Sequence, residues 1–158
     1  MTISVVELAA AETIRGPMMV RVLEDGTNTD HRLGLVQVSI PPGMAGPPQH
    51  VHHRHDETFY VVSGNPRFVS AGKQVDARPG TLVTVPPGTP HTFSNPGEEP
   101  VEMLCTVTPD LYIGYFRELA QLPPGAPDPA AVGAIMSRYF TDVVRPDGPP
   151  ANDAQAAS

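Results

Sequence analysis

The sequence predicts an all-β fold, a sandwich or barrel of short strands, followed by a short helical segment. Three observations predict it. Twenty Pro and fourteen Gly among 158 residues interrupt the chain too often for a bundle of long helices. The apolar residues, Val foremost, stand in short runs bounded by Pro and Gly, which is how strands joined by turns read. After Pro109 the apolar spacing changes from two to three and four, the helical period. A chain of this length is one domain.

The elements follow in order. Residues 1–16 are Ala-rich and weakly periodic, a short helix or an arm. Residues 18–23 read as a strand and 24–28 as a turn. Residues 33–40 are a better strand, with Gly34, Val36, Val38 and Ile40 on one face and Leu33, Leu35, Gln37 and Ser39 on the other. Pro41-Pro42-Gly43 stops it, and a Pro/Gly loop runs through Pro48. Residues 49–52 form a short strand, and 53–56 a polar connection. Residues 57–62 form a strong strand, ended by Ser63-Gly64-Asn65-Pro66. Residues 67–70 and 74–77 make a hairpin around Ala71-Gly72-Lys73. Strands follow at 82–85, 91–94 and 101–108. Leu111, Tyr112, Tyr115, Phe116 and Leu119 then recur at helical spacing. Asp128-Pro129 is a helix start, with Asp as N-cap and Pro at the first helical position. The stripe Val132, Ile135, Met136, Tyr139, Phe140 and Val143 extends that helix to residue 143. The division expected is a β-barrel domain over 1–110, a helical extension over 111–145 packing on the barrel or a partner, and a flexible tail over 146–158.

Charge excludes some functions. The net charge is −7, and the one Lys, Lys73, and the Arg residues are scattered. A nucleic-acid surface needs them clustered. No apolar run approaches the ~20 residues of a membrane span. The N-terminus lacks a basic, then apolar, leader. Cys105 is the single cysteine, so no intrachain disulfide forms. A cytoplasmic protein is expected.

Four of the six His fall within residues 50–55. On a strand, His50 and His52 project to one side, as two imidazoles on one ion must. Glu57 opens the next strand after a short turn, and His91 opens another. Three imidazoles and a carboxylate suit a divalent transition ion and leave open positions on an octahedral one. His53-x-His55 is an equal pair by spacing, but it crowds Glu57 and leaves little chain for the turn. His50 and His52 are therefore preferred, with His53 and His55 as turn residues at the mouth or surface. Phe59 and Val61 share the face of Glu57, Phe93 that of His91, and Met103 and Cys105 are wall residues. Gln37 is a candidate hydrogen-bonder to substrate, with plain solvent exposure the alternative.

These residues carry a resemblance. His50-x-His52, four residues, Glu57, six residues and Gly64 resemble the first motif of the cupin superfamily. Gly80, Pro86-x-Gly88, His91 and Asn95 resemble the second at its full spacing. The departure is Met44, which stands where the first motif has Gly, flanked by Gly43 and Gly46. Two ordered motifs that share one site are more specific than either alone. The likeness covers about residues 33–108. More loosely, the tail resembles the small bacterial cupins described as quercetin dioxygenase-like.

The resemblance implies a cupin jelly-roll β-barrel with a C-terminal helical extension, usually a homodimer. One divalent ion (Fe, Mn, Ni, Co or Zn) would be held inside by His50, His52, Glu57 and His91. It also implies an enzyme, a dioxygenase acting with O2 on a phenolic, enediol or diketone-type small molecule. Glu57 would be the catalytic base, its pKa raised by an apolar barrel. A metal-dependent isomerase or polyketide-type cyclase, or a protein that only binds its ligand, is the alternative.

Overall fold

Alternation of Val with polar residues builds the centre of the molecule. In the computed structural model, which describes residues 3–123 and 128–144, β3 (Gly34–Ile40) and β10 (Val101–Thr108) pair antiparallel. Their buried residues face each other as Val36 with Cys105, Val38 with Met103, and Ile40 with Val101. On the far side of β10 lies β5 (Asp56–Ser63), with Glu57 opposite Val107, Phe59 opposite Cys105 and Val61 opposite Met103. Glu57 therefore shares the buried face with the core and cannot turn to solvent without a register slip. Burying each such Val, Phe or Met is worth roughly 1.5–3 kcal/mol.

A short 3-10 turn (Leu8–Ala10) leads into β1 (Glu12–Arg15) and β2 (Met19–Asp25), which complete one flank of this sheet. The other flank is β8 (Leu82–Val85). The sheet order is β1-β2-β3-β10-β5-β8. A second sheet has three strands in the order β7 (Lys73–Asp76), β6 (Arg67–Ser70) and β9 (Thr92–Ser94). A third pairs β4 (His50–His52) with β11 (Thr141–Val143).

These sheets correct the expected fold class in two ways. Among the described residues no sheet closes into a barrel; β4 meets the second sheet's side only through the isolated bridge His50–His91. The Pro residues that punctuate the chain give the reason. Pro47 and Pro48 precede β4, Pro86 and Pro87 follow β8, and Pro90 precedes β9. None has an N–H to give to a ladder, so the short strands never join into one continuous wall. Nor is the chain all-β. Helices α1 (Ile113–Leu119) and α2 (Pro129–Arg138) make it a mixed α/β fold of antiparallel sheets and two helices.

Helix α2 begins as expected: Asp128 accepts a hydrogen bond from the Ala130 N–H at 3.1 Å and Pro129 is its first residue. It ends earlier than residue 143. Phe140 adopts φ +55°, which breaks the helix, and Thr141–Val143 returns as β11. The chain can pack here because Gly114 of α1 lies against Tyr139, whose ring would sit 2.7 Å from any added Cβ. Gly46 is similarly constrained. Its φ is +76°, and an added Cβ would meet the Phe93 carbonyl oxygen at 1.8 Å. It makes a tight turn two residues after Met44. The tail expected over 146–158 lies outside the described residues.

Candidate metal centre

Four side chains from two strands and a bridge residue converge. His50 and His52 come from β4, Glu57 from β5, and His91 from the turn before β9. Backbone bonds hold His50 and His91 together, each N–H donating to the other's carbonyl at 2.9 Å. One ligand atom from each of the four residues lies within 4.8 Å of the others, and all four side chains are buried.

Hydrogen bonds behind the imidazoles aim them. His50 Nδ1 donates to the Pro48 carbonyl at 2.8 Å, and His91 Nδ1 to the Thr89 carbonyl at 3.1 Å. A carbonyl only accepts, so both Nδ1 atoms carry protons and the Nε2 atoms are turned to the cluster. His52 Nε2 and His91 Nε2 each lie 3.0 Å from Glu57 Oε2. Burial holds His50 neutral, lowering its pKa to about 3. Burial pushes Glu57 upward, but the hydrogen bonds of His52 and His91 outweigh it and hold the carboxyl well below its usual range. This reverses the raised pKa expected of a carboxylate in an apolar enclosure. The other oxygen, Oε1, accepts the Cys105 S–H at 3.3 Å. Burial, with the neighbouring Glu57 charge, raises that thiol's pKa, so it stays the donor.

The donor set fits a divalent transition ion. Three imidazole nitrogens and one ionised carboxylate are the N/O ligands such ions take. A cation at this point would take the Nε2 atoms and the carboxylate as ligands; without one, His52 and His91 meet Glu57 by donating to it.

The cluster opens on a cavity of about 1660 Å³. His50, Glu57 and Cys105 reach it at the floor, and Phe59, Phe93 and Met44 are among its wall. The helical segment supplies Tyr112, Tyr115 and Phe116 on the facing wall. Val61 and Met103 are buried core residues that do not reach the cavity. Gln37 is a correction to the expected lining: it points to the outer face, where its Nε2 donates to Glu102 Oε2 at 2.6 Å. Alternation with the buried Val36 and Val38 explains its direction.

Two residues were missed. His55 is 1% exposed, not a surface turn residue. Its ring packs against His52 at 4.2 Å and Tyr112 at 5.2 Å, tilted to both, and neither ring nitrogen has a hydrogen-bond partner among the described residues. Burial lowers its pKa to about 4. Nothing in the local pattern marks this, because the covering residue, Tyr112, is distant in sequence. His53 is partly exposed and pairs with Asp142 at 2.9 Å. The other missed residue is Thr141, whose hydroxyl meets His52 Nδ1 at 2.8 Å. The β-branched run at Thr141, Val143 and Val144 is a strand signal that could have found it.

Asn95 of the second motif is structural. Its buried amide nitrogen donates to the carbonyls of Ile40, Pro41 and Glu99, and its oxygen accepts from the Gly97 N–H. It ties the strand after His91 to the end of β3.

Comparison with known proteins agrees with this architecture. A family model described as "Cupin domain" matches residues 36–107. Quercetin 2,3-dioxygenase of Bacillus subtilis is 27% identical over 106 residues, covering 67% of this chain and 31% of that protein. The chain thus spans about a third of the length of that curated relative. A predicted oxalate decarboxylase from Thermotoga maritima superposes with a TM-score of 0.61 at 22% identity, covering 66% of this chain and 98% of that one. The Streptomyces protein PAC13, solved with uridine, superposes with a TM-score of 0.55 at 28% identity, covering 69% of this chain and 84% of that one. No helix among the described residues is long and apolar enough to cross a membrane.

Proposed function

The chain contains a small domain of the cupin superfamily, and we propose that it is a metal-dependent enzyme that rearranges a small organic substrate without oxidising it. The reaction is an isomerisation or cyclisation of a phenolic, enediol or diketone-type molecule. The domain over 1–110 carries the ligands, and the described residues of the extension, 111–123 and 128–144, cover the substrate.

The observation that carries this reading is sulfur at the site. Cys105 lies on the cavity wall with its S–H on Glu57, and the thioethers of Met18 and Met44 line the same space. Thiol and thioether are the side chains that oxygen chemistry damages first. A site that activated O2 would place them in its path.

A divalent ion held by His50, His52, Glu57 and His91 supplies Lewis acidity toward a carbonyl or enol oxygen. The chain does the rest. Glu57 brings the one negative charge of the ligand set, which leaves the charge balance open to one deprotonated substrate oxygen. It lines the cavity, as Asp142 also does, and as the carboxylate within the ligand cluster it would take up the proton that enolisation releases. Tyr112 and Tyr115, both raised in pKa by burial, stay protonated; Tyr112 donates to Tyr115, which keeps its own hydroxyl proton for a substrate oxygen. Phe59, Phe93 and Phe116 exclude water and stack on rings. A homodimer is part of the reading, supported by the exposed Tyr60, Val62 and Leu82 on one face of the six-stranded sheet.

A second reading, dioxygenation, is favoured by the match to quercetin 2,3-dioxygenase. Metal-reconstituted protein assayed on phenols, enediols and diketones with and without oxygen separates the two. Product formed anaerobically supports rearrangement. Oxygen uptake matching substrate loss, with no anaerobic product, overturns it in favour of dioxygenation. Ligand binding without product under either condition makes the protein a binder only.

A further inference from the structure

We propose that Thr141 is a positioning residue of the metal centre, so that the centre extends into the segment beyond the matched residues 36–107. The inference rests on the metal reading of His50, His52, Glu57 and His91.

The three imidazoles are not supported alike. Nδ1 of His50 donates to the carbonyl two residues before it, Pro48, and Nδ1 of His91 to the carbonyl two residues before it, Thr89. Both supports are local and come with the strand. For His52 the corresponding carbonyl is that of His50, and it is already taken by the N–H of His91. His52 must find its partner elsewhere, and it finds Thr141, 89 residues away.

The hydroxyl of Thr141 is fixed in the needed sense. It donates to the Tyr139 carbonyl at 3.2 Å, so towards His52 it accepts. His52 Nδ1 then carries the proton and Nε2 is left to the ion. Thr141 is fully buried. Its backbone is held in register by pairing of Thr141 with His52 and Val143 with His50. The bonds His53 N–H to Phe140 carbonyl (2.9 Å) and Val144 N–H to Gln49 carbonyl (2.8 Å) close both ends of this ladder.

Cobalt(II) is the probe. Chelator competition should show Thr141→Val binding Co(II) about 10–100-fold more weakly than the native chain, the loss typical of removing a ligand's outer partner. Thr141→Ser keeps the hydroxyl and should bind within about threefold. In the paramagnetic proton spectrum, native protein and Thr141→Ser should show three slowly exchanging imidazole N–H signals. Thr141→Val should lose one of them, which a merely structural role would not produce. Should Thr141→Val not fold, Thr141→Cys, similar in shape and a weak acceptor, carries the same comparison. Equal affinity with all three signals retained overturns the role of Thr141 and leaves the metal centre standing. A native chain that takes up no Co(II) overturns both.

Discussion

The segment from β3 to β10 and the segment from α1 to β11 reach the same cavity in different ways. The first carries every proposed ligand, and its supports are mostly close in sequence: Pro48 behind His50, Thr89 behind His91. The second carries no ligand. With Tyr112 immediately before α1, it supplies the Tyr112–Tyr115–Phe116 wall and the hydroxyl behind His52. A metal centre can thus be spelled out by motifs in one stretch and still depend on another stretch whose contribution is purely tertiary.

The largest expected effect tests the first segment. His91→Ala removes a ligand while leaving the His50–His91 backbone bonds in place, and metal affinity should fall at least ~100-fold by titration. The same protein with Phe116→Ala, from the second segment, should keep its metal. If both lose metal equally, the division between ligand and wall is wrong.

Next is Asn95→Ala. It strands the carbonyls of Ile40, Pro41 and Glu99 and the N–H of Gly97. Destabilisation of about 3 kcal/mol is expected from buried groups losing partners, read as a melting point lower by roughly 10 °C. An unchanged melting point would mean that the motif Asn acts elsewhere than in the fold.

The smallest effect concerns how the second segment docks. Arg117 of α1 bonds Asp25 at 2.8 Å and Glu12 at 2.7 Å. The hydrogen bond from Arg117, with those of Thr27, lowers the Asp25 pKa from 3.8 to about 2. A carboxyl depressed in the folded state stabilises above its unfolded pKa, and that contribution fades as pH falls from about 4 towards 2. Solvent screening limits it to about 1 kcal/mol. Asp25→Asn should flatten this part of the acid-stability curve; an identical curve in the variant would show that Arg117 does not hold α1 through Asp25.

The same division explains what the sequence made legible. Strands 82–85 and 101–108 stand at their expected residues because alternation is a local signal. The gathering of His50, His52, Glu57 and His91 follows from that alternation and two turns. Whether strands close into a barrel is not local, and the Pro residues that announce the turns are also what keep the ladders apart. His55 read as a turn residue because its cover, Tyr112, comes from the other segment. The end of α2 was hidden because Tyr139 and Phe140 continue a helical stripe across the break at Phe140. Glu57's low pKa depended on which side chains meet its oxygens, and spacing cannot show that.

The central claim is that the buried His50–His52–Glu57–His91 cluster is a divalent metal centre. Anomalous diffraction from crystals of the reconstituted protein tests it most directly. The account predicts one peak per chain, within about 2.0–2.3 Å of His50 Nε2, His52 Nε2, His91 Nε2 and a Glu57 oxygen. A cluster with no peak, its imidazoles donating directly to the Glu57 carboxylate, would contradict it.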